Sequence, residues 1–410
     1  MVSGVGTAAL GIVFWAFAAR LEAPSIVGKA TAEIAAMVLL SSLSQLGFGA
    51  TFERFLPVAG NRSRQLILRG YALCVGMATI LSTAYVVLGL GHRFIPVSLE
   101  GRLVFIVSVM GWTIFALQDA AMIALKSSRY VPVENILFSA LKLALLPVMV
   151  WASQSQGIYL AWVSPMWLAI AGVNWYILRR RLPQHVARDA GRSQLPSLKR
   201  IASLASAGYV TSILNIFLTS VVALVIVDRL GSTQSAYFYL PAMIATSLAQ
   251  LLWSITISFL VEASTNPDEM ARHMKSSVRI TGLIIVPGLI VGELLAPQIL
   301  RIFGAAYSQH GASLLRMLLI AMLGTVVTEF YASLAWLEQR VWWLAARELF
   351  SLVVNLSVLF LLMGHLGINA AGVGALTSSL LQALFFLPAT IRRYRSATRP
   401  HDATLTPRAD

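Results

Sequence analysis

Mostly apolar stretches long enough to cross a bilayer recur twelve times along the chain, and this repetition constrains the fold more than any other feature. A spanning helix needs roughly 20 such residues, since each rises about 1.5 Å across a hydrocarbon core about 30 Å thick. The first six stretches run over 1–19, 31–51, 70–91, 102–125, 133–152 and 157–178. The second six run over 203–227, 234–261, 279–297, 312–336, 342–363 and 369–391, and ionisable residues interrupt the fourth and the tenth. Backbone amides find no water in hydrocarbon, so each stretch must satisfy its own hydrogen bonds as a helix. Composition agrees: 58% of residues are hydrophobic, 12% are charged and the mean hydropathy is +0.76. Soluble domains carry about 25% charged residues. The expected class is an all-α polytopic membrane protein of about twelve transmembrane helices. The first stretch begins almost at Met1 without a basic lead and runs on to Ala19, so it reads as a span rather than a cleaved signal.

The net charge of +14 would suggest nucleic acid in a soluble protein. Here the basic residues lie in short segments between the spans, and no nucleic-acid partner is expected. Twenty-three of the 31 Lys and Arg residues fall in one alternating set of segments and six in the other, leaving Lys142 and Arg316 inside spans. The positive-inside rule then places both termini in the cytoplasm. Residues 1–178 form an N-terminal six-helix bundle and 203–391 a C-terminal one. A basic cytoplasmic linker, 179–202, joins them, and a polar tail, 392–410, is expected to be disordered. The single cysteine, Cys74, lies in an apolar run and offers no intrachain disulfide.

The halves resemble each other. Arg20-Leu21 and Arg229-Leu230 end the first and seventh spans, and Glu53 and Glu262 close the second and eighth, each pair 209 residues apart. Gly157-Ile158 and Gly367-Ile368 open the sixth and twelfth, 210 apart. With six spans in each half, the duplication is parallel, about an axis along the membrane normal, an arrangement found in transporters that open alternately to each side.

Ionisable residues within spans cost about 2.5–3.5 kcal/mol each at a helix centre, so each invites a functional reading. Lys142 lies near the middle of the fifth span, and Asp119, beside Gln118, in the inner part of the fourth. Arg316 and Glu329 lie on the tenth span, while Glu33 and Glu293 sit near the outer ends of the second and ninth. The functional reading is a hydrated cavity in which Lys142, Arg316 and Asp119 meet substrate, the two cations receiving an anionic group such as pyrophosphate. Asp119, Glu329 or Glu33 would bind a coupling proton or cation. The structural alternative is interhelical ion pairing, Asp119 with Lys142 for example, or snorkelling to the interface. Glu53 with Arg54 and Glu348 with Arg347 read as boundary residues. Trp162, Trp167, Trp175 and the Trp342-Trp343 pair read as interfacial belts or packing, with sugar stacking as a lesser alternative. Gly47-x-Gly49 and Gly372-x-Gly374 suit close helix approach better than phosphate binding. No nucleotide-binding loop or zinc-binding spacing occurs, so neither cofactor nor metal is expected, and the chain does not read as an enzyme.

The run Ala296-Pro297-Gln298-Ile299-Leu300-Arg301-Ile302-Phe303-Gly304-Ala305-Ala306-Tyr307, followed by Leu314-Leu315-Arg316, resembles a recurring element of polysaccharide transporters. The stretch from Ala18-Ala19-Arg20-Leu21 to Gly28, then Leu46-Gly47-Phe48-Gly49 and Arg54-Phe55-Leu56-Pro57, is similar to the start of that family. Gly367-Ile368-Asn369-Ala370-Ala371-Gly372 resembles the entry to its last spans. The likeness covers most of the chain and points to the oligosaccharide flippases of the multidrug/oligosaccharidyl-lipid/polysaccharide flippase superfamily. It implies a V-shaped pair of six-helix bundles that flips a polyprenyl-pyrophosphate-linked oligosaccharide outward, driven by an ion gradient. Cationic cavity residues are frequent in that family, which fits Lys142 and Arg316, whereas no acidic motif here matches a coupling residue. The expected partners are the lipid-linked oligosaccharide, membrane lipid and a polysaccharide polymerase or glycosyltransferase complex. The competing readings are cation-coupled drug efflux in the same fold, and a non-transporting scaffold subunit of a polysaccharide assembly complex.

Overall fold

The computed structural model describes residues 2–153, 155–188, 198–265, 270–337 and 341–398. In the first half, α1 spans Val2–Leu21, α2 Pro24–Ser44, α3 Phe48–Phe55, α4 Ser63–Val87, α5 Leu99–Ala124, α6 Val131–Ala152, α7 Gly157–Tyr176 and α8 Leu182–Arg188. In the second, α9 spans Leu198–Leu230, α10 Ser232–Thr265, α11 Met270–Arg301, α12 Ala305–Leu337, α13 Val341–Leu366 and α14 Asn369–Thr398. No strand occurs among the described residues. Among the described residues eleven helical stretches are long and apolar enough to cross a membrane, and Gly6–Leu21 of α1 is a further, shorter apolar helix.

Packing reproduces the duplication. Within the first half α1 packs on α6, α2 on α4 and α5, α4 on α5, α5 on α7, and α6 on α7. Their counterparts, α9 on α13, α10 on α11 and α12, α11 on α12, α12 on α14, and α13 on α14, pack likewise. The result is two six-helix bundles of one design. Between them α2 meets α10, which are each other's counterparts, while α2 with α9 and α1 with α10 form the mirrored pair of contacts. The pseudo-two-fold axis therefore passes between α2 and α10.

Three sequence expectations change. The second span runs over Pro24–Ser44 rather than 31–51. Pro24 is preorganised for the first turn of a helix, and the chain stops at Leu46 and Gly47, both at positive φ, 50° and 77°. Gly47 is thus a helix break, and a Cβ on Gly49 would meet nothing within 4 Å, so this pair does not mediate close approach. The Cys74 thiol donates to the Gln45 carbonyl exposed by the break, at 3.3 Å. In α10 the equivalent backbone continues unbroken to Thr265. The linker begins as helix, a π turn over Ile177–Arg181 leading into α8, and its centre, 189–197, lies outside the described residues. Helix α14 runs to Thr398, beyond the expected end of the last span; 399–410 lie outside the described residues.

We term the end of the bundles carrying α8 and the start of α9 the linker end, and the other the far end. Near the far end the halves touch backbone to backbone: a Cβ on Gly28 would lie 1.7 Å from the Ser232 carbonyl oxygen. Arg20 donates there from Nε to the Ile302 carbonyl at 2.9 Å, and Arg93 pairs with Asp228 at 3.3 Å. Toward the linker end the Tyr209 hydroxyl donates to the Leu43 carbonyl at 2.8 Å. Between these points the Trp15 ring lies 4.9 Å from Tyr239.

Backbone cannot yield as a side-chain tip can, so Gly28→Ala forces α2 away from α10. Overpacking of this kind costs about 1–3 kcal/mol. The melting temperature of the purified protein is expected to fall by several degrees for Gly28→Ala. Gly11→Ala, at a position with nothing within 4 Å, should leave it unchanged or raised.

Candidate functional site

The ionisable groups inside the bundles fall into five places. Lys142, the twelfth residue of α6, is 5% exposed and sits among rings from three helices. Its Nζ lies 3.6 Å from the centroid of Trp162, 5.3 Å from Phe138 and 5.4 Å from Phe14. Trp112 and Phe115 extend the cluster, stacked at 5.2 Å. Cation–π attraction is strongest for desolvated ions, about 2 kcal/mol or more, and offsets part of the cost of holding an ammonium here. No carboxylate pairs with Lys142 among the described residues. The expected alternative of an Asp119–Lys142 pair is not formed. Asp119 is five residues from the end of α5, about 8 Å from the linker end, and Lys142 about 16 Å. Trp162, placed by sequence among belt or packing residues, lines the lysine cage, whereas Trp342 and Trp343 are exposed at the start of α13 as a belt requires.

The cage adjoins the partner bundle. Trp15 lies 5.9 Å from Trp162 on one side and touches Tyr239 of α10 on the other. One aromatic layer therefore separates the lysine cage from the opposite half. Tyr239 stands two residues before Pro241, inside α10, where the missing amide interrupts the helix ladder.

Glu33 is the tenth residue of α2, not near a span end as expected, because the helix starts seven residues earlier. It is 3% exposed, and its Oε1 has no hydrogen-bond partner. Its charge acts on Tyr159 of α7, whose hydroxyl faces Met37 Sδ at 3.7 Å.

Arg316 does not join Lys142. On α12 the buried stripe is Leu315, Leu319 and Met322, which turns Arg316, Ile320 and Leu323 outward. The Arg316 side chain is 44% exposed, donates from Nε to the Glu293 carbonyl at 3.1 Å and lies 3.9 Å from Glu293 Oε1. The pair borders an apolar groove of about 350 Å³ between α11 and α12. Expected as a substrate residue, Arg316 instead bridges two helices of its own bundle.

The fourth place corrects two readings at once. Arg347 and Glu348 are not boundary residues. Arg347 is buried on α13 and donates to both Glu348 and Glu329, the latter at 3.3 Å, and to the Thr328 carbonyl at 3.0 Å. Glu329 is thereby neutralised within the second bundle. Its counterpart in the first bundle is Asp119, 210 residues earlier, the same separation as the starts of α6 at Val131 and α13 at Val341. Asp119 has no such arginine. Sequence reading missed Glu134, 8% exposed on α6, which accepts a hydrogen bond from Gln118 Nε2. Glu134 is the second residue of the fifth apolar stretch, where charge is ordinary, so only the packing of α5 on α6 reveals its burial.

The sequence matches no protein-family model and no curated protein. The fold is shared with solved transporters. An inward-facing multidrug resistance MATE family transporter of the MOP superfamily is 14% identical, with a TM-score of 0.68 over 96% of each chain. A mutant of the Vibrio cholerae MATE transporter VcmN is 16% identical, with a TM-score of 0.63 over 96% of this chain and 94% of that one. A MOP superfamily transporter from Pyrococcus furiosus, described as having a binding pocket of reversed polarity, is 15% identical, at 0.57 over 97% and 95%.

Removing Arg347 strands two carboxylates that are largely shielded from water, Glu348 more than Glu329. Loss of one partner of a buried ionic group costs about 3–5 kcal/mol. Arg347→Leu is expected to abolish the monodisperse folded fraction in gel filtration, and the triple change with Glu329→Gln and Glu348→Gln to recover most of it. A single change as well behaved as wild type would show that the triad holds nothing together.

Proposed function

We propose that this chain is an alternating-access flippase for a polyprenyl-pyrophosphate-linked oligosaccharide in a bacterial inner membrane, serving surface polysaccharide assembly. The observation that carries the reading is the Lys142 cage: a positive charge without a carboxylate, held at mid-depth one aromatic layer from the opposite bundle. A cation kept at such cost is suited to an anion that arrives and leaves. The basic linker end faces the cytoplasm in this reading.

In the proposed cycle, residues 1–178 rock against 203–391 about the α2–α10 contact. Parting of Trp15 from Tyr239 uncovers the cage. The pyrophosphate then meets the Lys142 ammonium, which passes from ring faces to a charge-assisted hydrogen bond. The sugar occupies the space between the bundles while the prenyl chain stays in lipid. Closure restores the Trp15–Tyr239 contact on the other side of the substrate. Glu33, buried on the axial helix α2 with an unpaired oxygen, is the coupling residue in this scheme. A polysaccharide polymerase or glycosyltransferase complex would receive or supply the substrate.

Drug efflux in the same fold draws on the same aromatic cluster. A cage already filled by its own ammonium repels a second cation, and this favours the anionic substrate.

The test uses a deletion strain complemented by wild type, Lys142→Gln or Lys142→Arg. In sealed right-side-out vesicles, an impermeant glycosidase should cleave the lipid-linked oligosaccharide from wild-type cells. Lys142→Gln, at equal protein level, should accumulate a complete but protected intermediate, with cleavage lowered at least tenfold. Lys142→Arg should retain part of the activity. Normal exposure of the oligosaccharide in the deletion strain overturns the flippase reading and leaves drug efflux or a scaffold role.

A further inference from the structure

Two equivalent places in the duplicated bundles handle buried carboxylates differently. At the linker end of the second bundle, Glu329 and Glu348 share the Arg347 guanidinium. At the linker end of the first, Asp119 and Glu134 stand close enough for their charges to interact, and neither forms an ion pair among the described residues.

One oxygen of each carboxylate lacks a partner, while Asn135 hydrogen-bonds Asp119. Glu134 Oε1 accepts from Gln118, and Gln118 Oε1 in turn accepts from Asn174 Nδ2 at 2.8 Å. Asn174 also donates to the Ile170 carbonyl at 2.9 Å, which fixes its amide and directs the other end of it elsewhere. Left without a hydrogen-bond partner are Glu134 Oε2, Asp119 Oδ1, Asn174 Oδ1 and the Tyr71 hydroxyl, each shielded from solvent. Both carboxylates act electrostatically on Tyr71. The four groups come from α4, α5, α6 and α7, whose linker ends meet here, and all are hard oxygens. Buried oxygens without donors are rare and call for a missing partner. Two neighbouring carboxylates without a cation are costly in low dielectric.

We infer that Asp119, Glu134, Asn174 and Tyr71 form a binding site for a hard inorganic cation, which does in the first bundle what Arg347 does in the second. Oxygen ligands of this kind, with carboxylates supplying the charge, suit alkali and alkaline-earth ions rather than soft metals. The ion would tie together the linker ends of four helices, three of which, α5, α6 and α7, carry residues of the Lys142 cage. Its binding does not depend on which solute the protein carries.

The experiment measures the melting temperature of the purified full chain, by intrinsic tryptophan fluorescence, in NaCl, KCl, MgCl2 or CaCl2, with choline chloride holding ionic strength constant. One of the cations is expected to raise the melting temperature saturably, by about 5 °C at a hundredfold excess over its Kd. Asp119→Asn and Glu134→Gln should each abolish the cation-specific shift, while Glu100→Gln, at the exposed start of α5, should keep it. Identical melting in all five salts overturns the proposal without any variant. So does a cation-specific shift that survives both substitutions, or a dependence on pH alone. No substrate is present, so failure here leaves the flippase reading intact, and a failed vesicle assay leaves the cation site intact.

Discussion

The contact of α2 with α10 is the element on which the rest of the architecture turns. Gly28 lets the two backbones approach until no side chain fits between them. Because α2 and α10 are counterparts, that contact lies on the pseudo-two-fold axis, and every other contact between the halves is displaced from it. In a membrane, helices gain little from burying apolar surface against each other, since lipid is equally apolar; close packing of small residues does the work instead. Elsewhere the interface consists of ring edges, a few hydrogen bonds to carbonyls and the Arg93–Asp228 ion pair.

Charge is arranged to leave that joint free. Within the interface helices α1, α2, α9 and α10, Glu33 is the one ionisable residue at mid-depth among the described residues, and it acts on Tyr159 of its own bundle. The remaining buried charges lie one layer back, at Lys142, at the Asp119–Glu134 pair and at the Arg347 triad. The bundles diverged in these groups while keeping the same helix packing. Leu352 stands 210 residues after Lys142, so the second bundle carries no cation at the equivalent position. The duplicated frame thus encloses unlike interiors.

Much of this was legible in the sequence because hydrocarbon forces every span to announce itself by length and composition. The all-helical membrane class and the duplication into two like bundles follow from that constraint. What the sequence concealed depends on rotation about helix axes and on local breaks. Arg316 and Lys142 look alike as cations in apolar runs, but one lies on the outward stripe of α12 and the other on the inward face of α6. A window of hydropathy averages over all faces. Glu33 was misplaced because Leu46 and Gly47 divide one apolar run into two helices. Glu134 and Arg347 lie near the ends of apolar runs, where charge is ordinary in sequence, and become exceptional only when neighbouring helices bury them.

The position of Lys142 also bears on how a membrane-spanning bundle tolerates it. A lysine at mid-depth facing lipid would be selected against, and one paired to a carboxylate would be held in place by its partner. Ring faces offer an intermediate case: they lower the cost of the charge without neutralising it, and they impose no directional bond that must be broken. The ammonium therefore remains available to any anion that displaces the rings. Trp15 lies between this cage and Tyr239 of the opposite bundle, in ring contact on both sides.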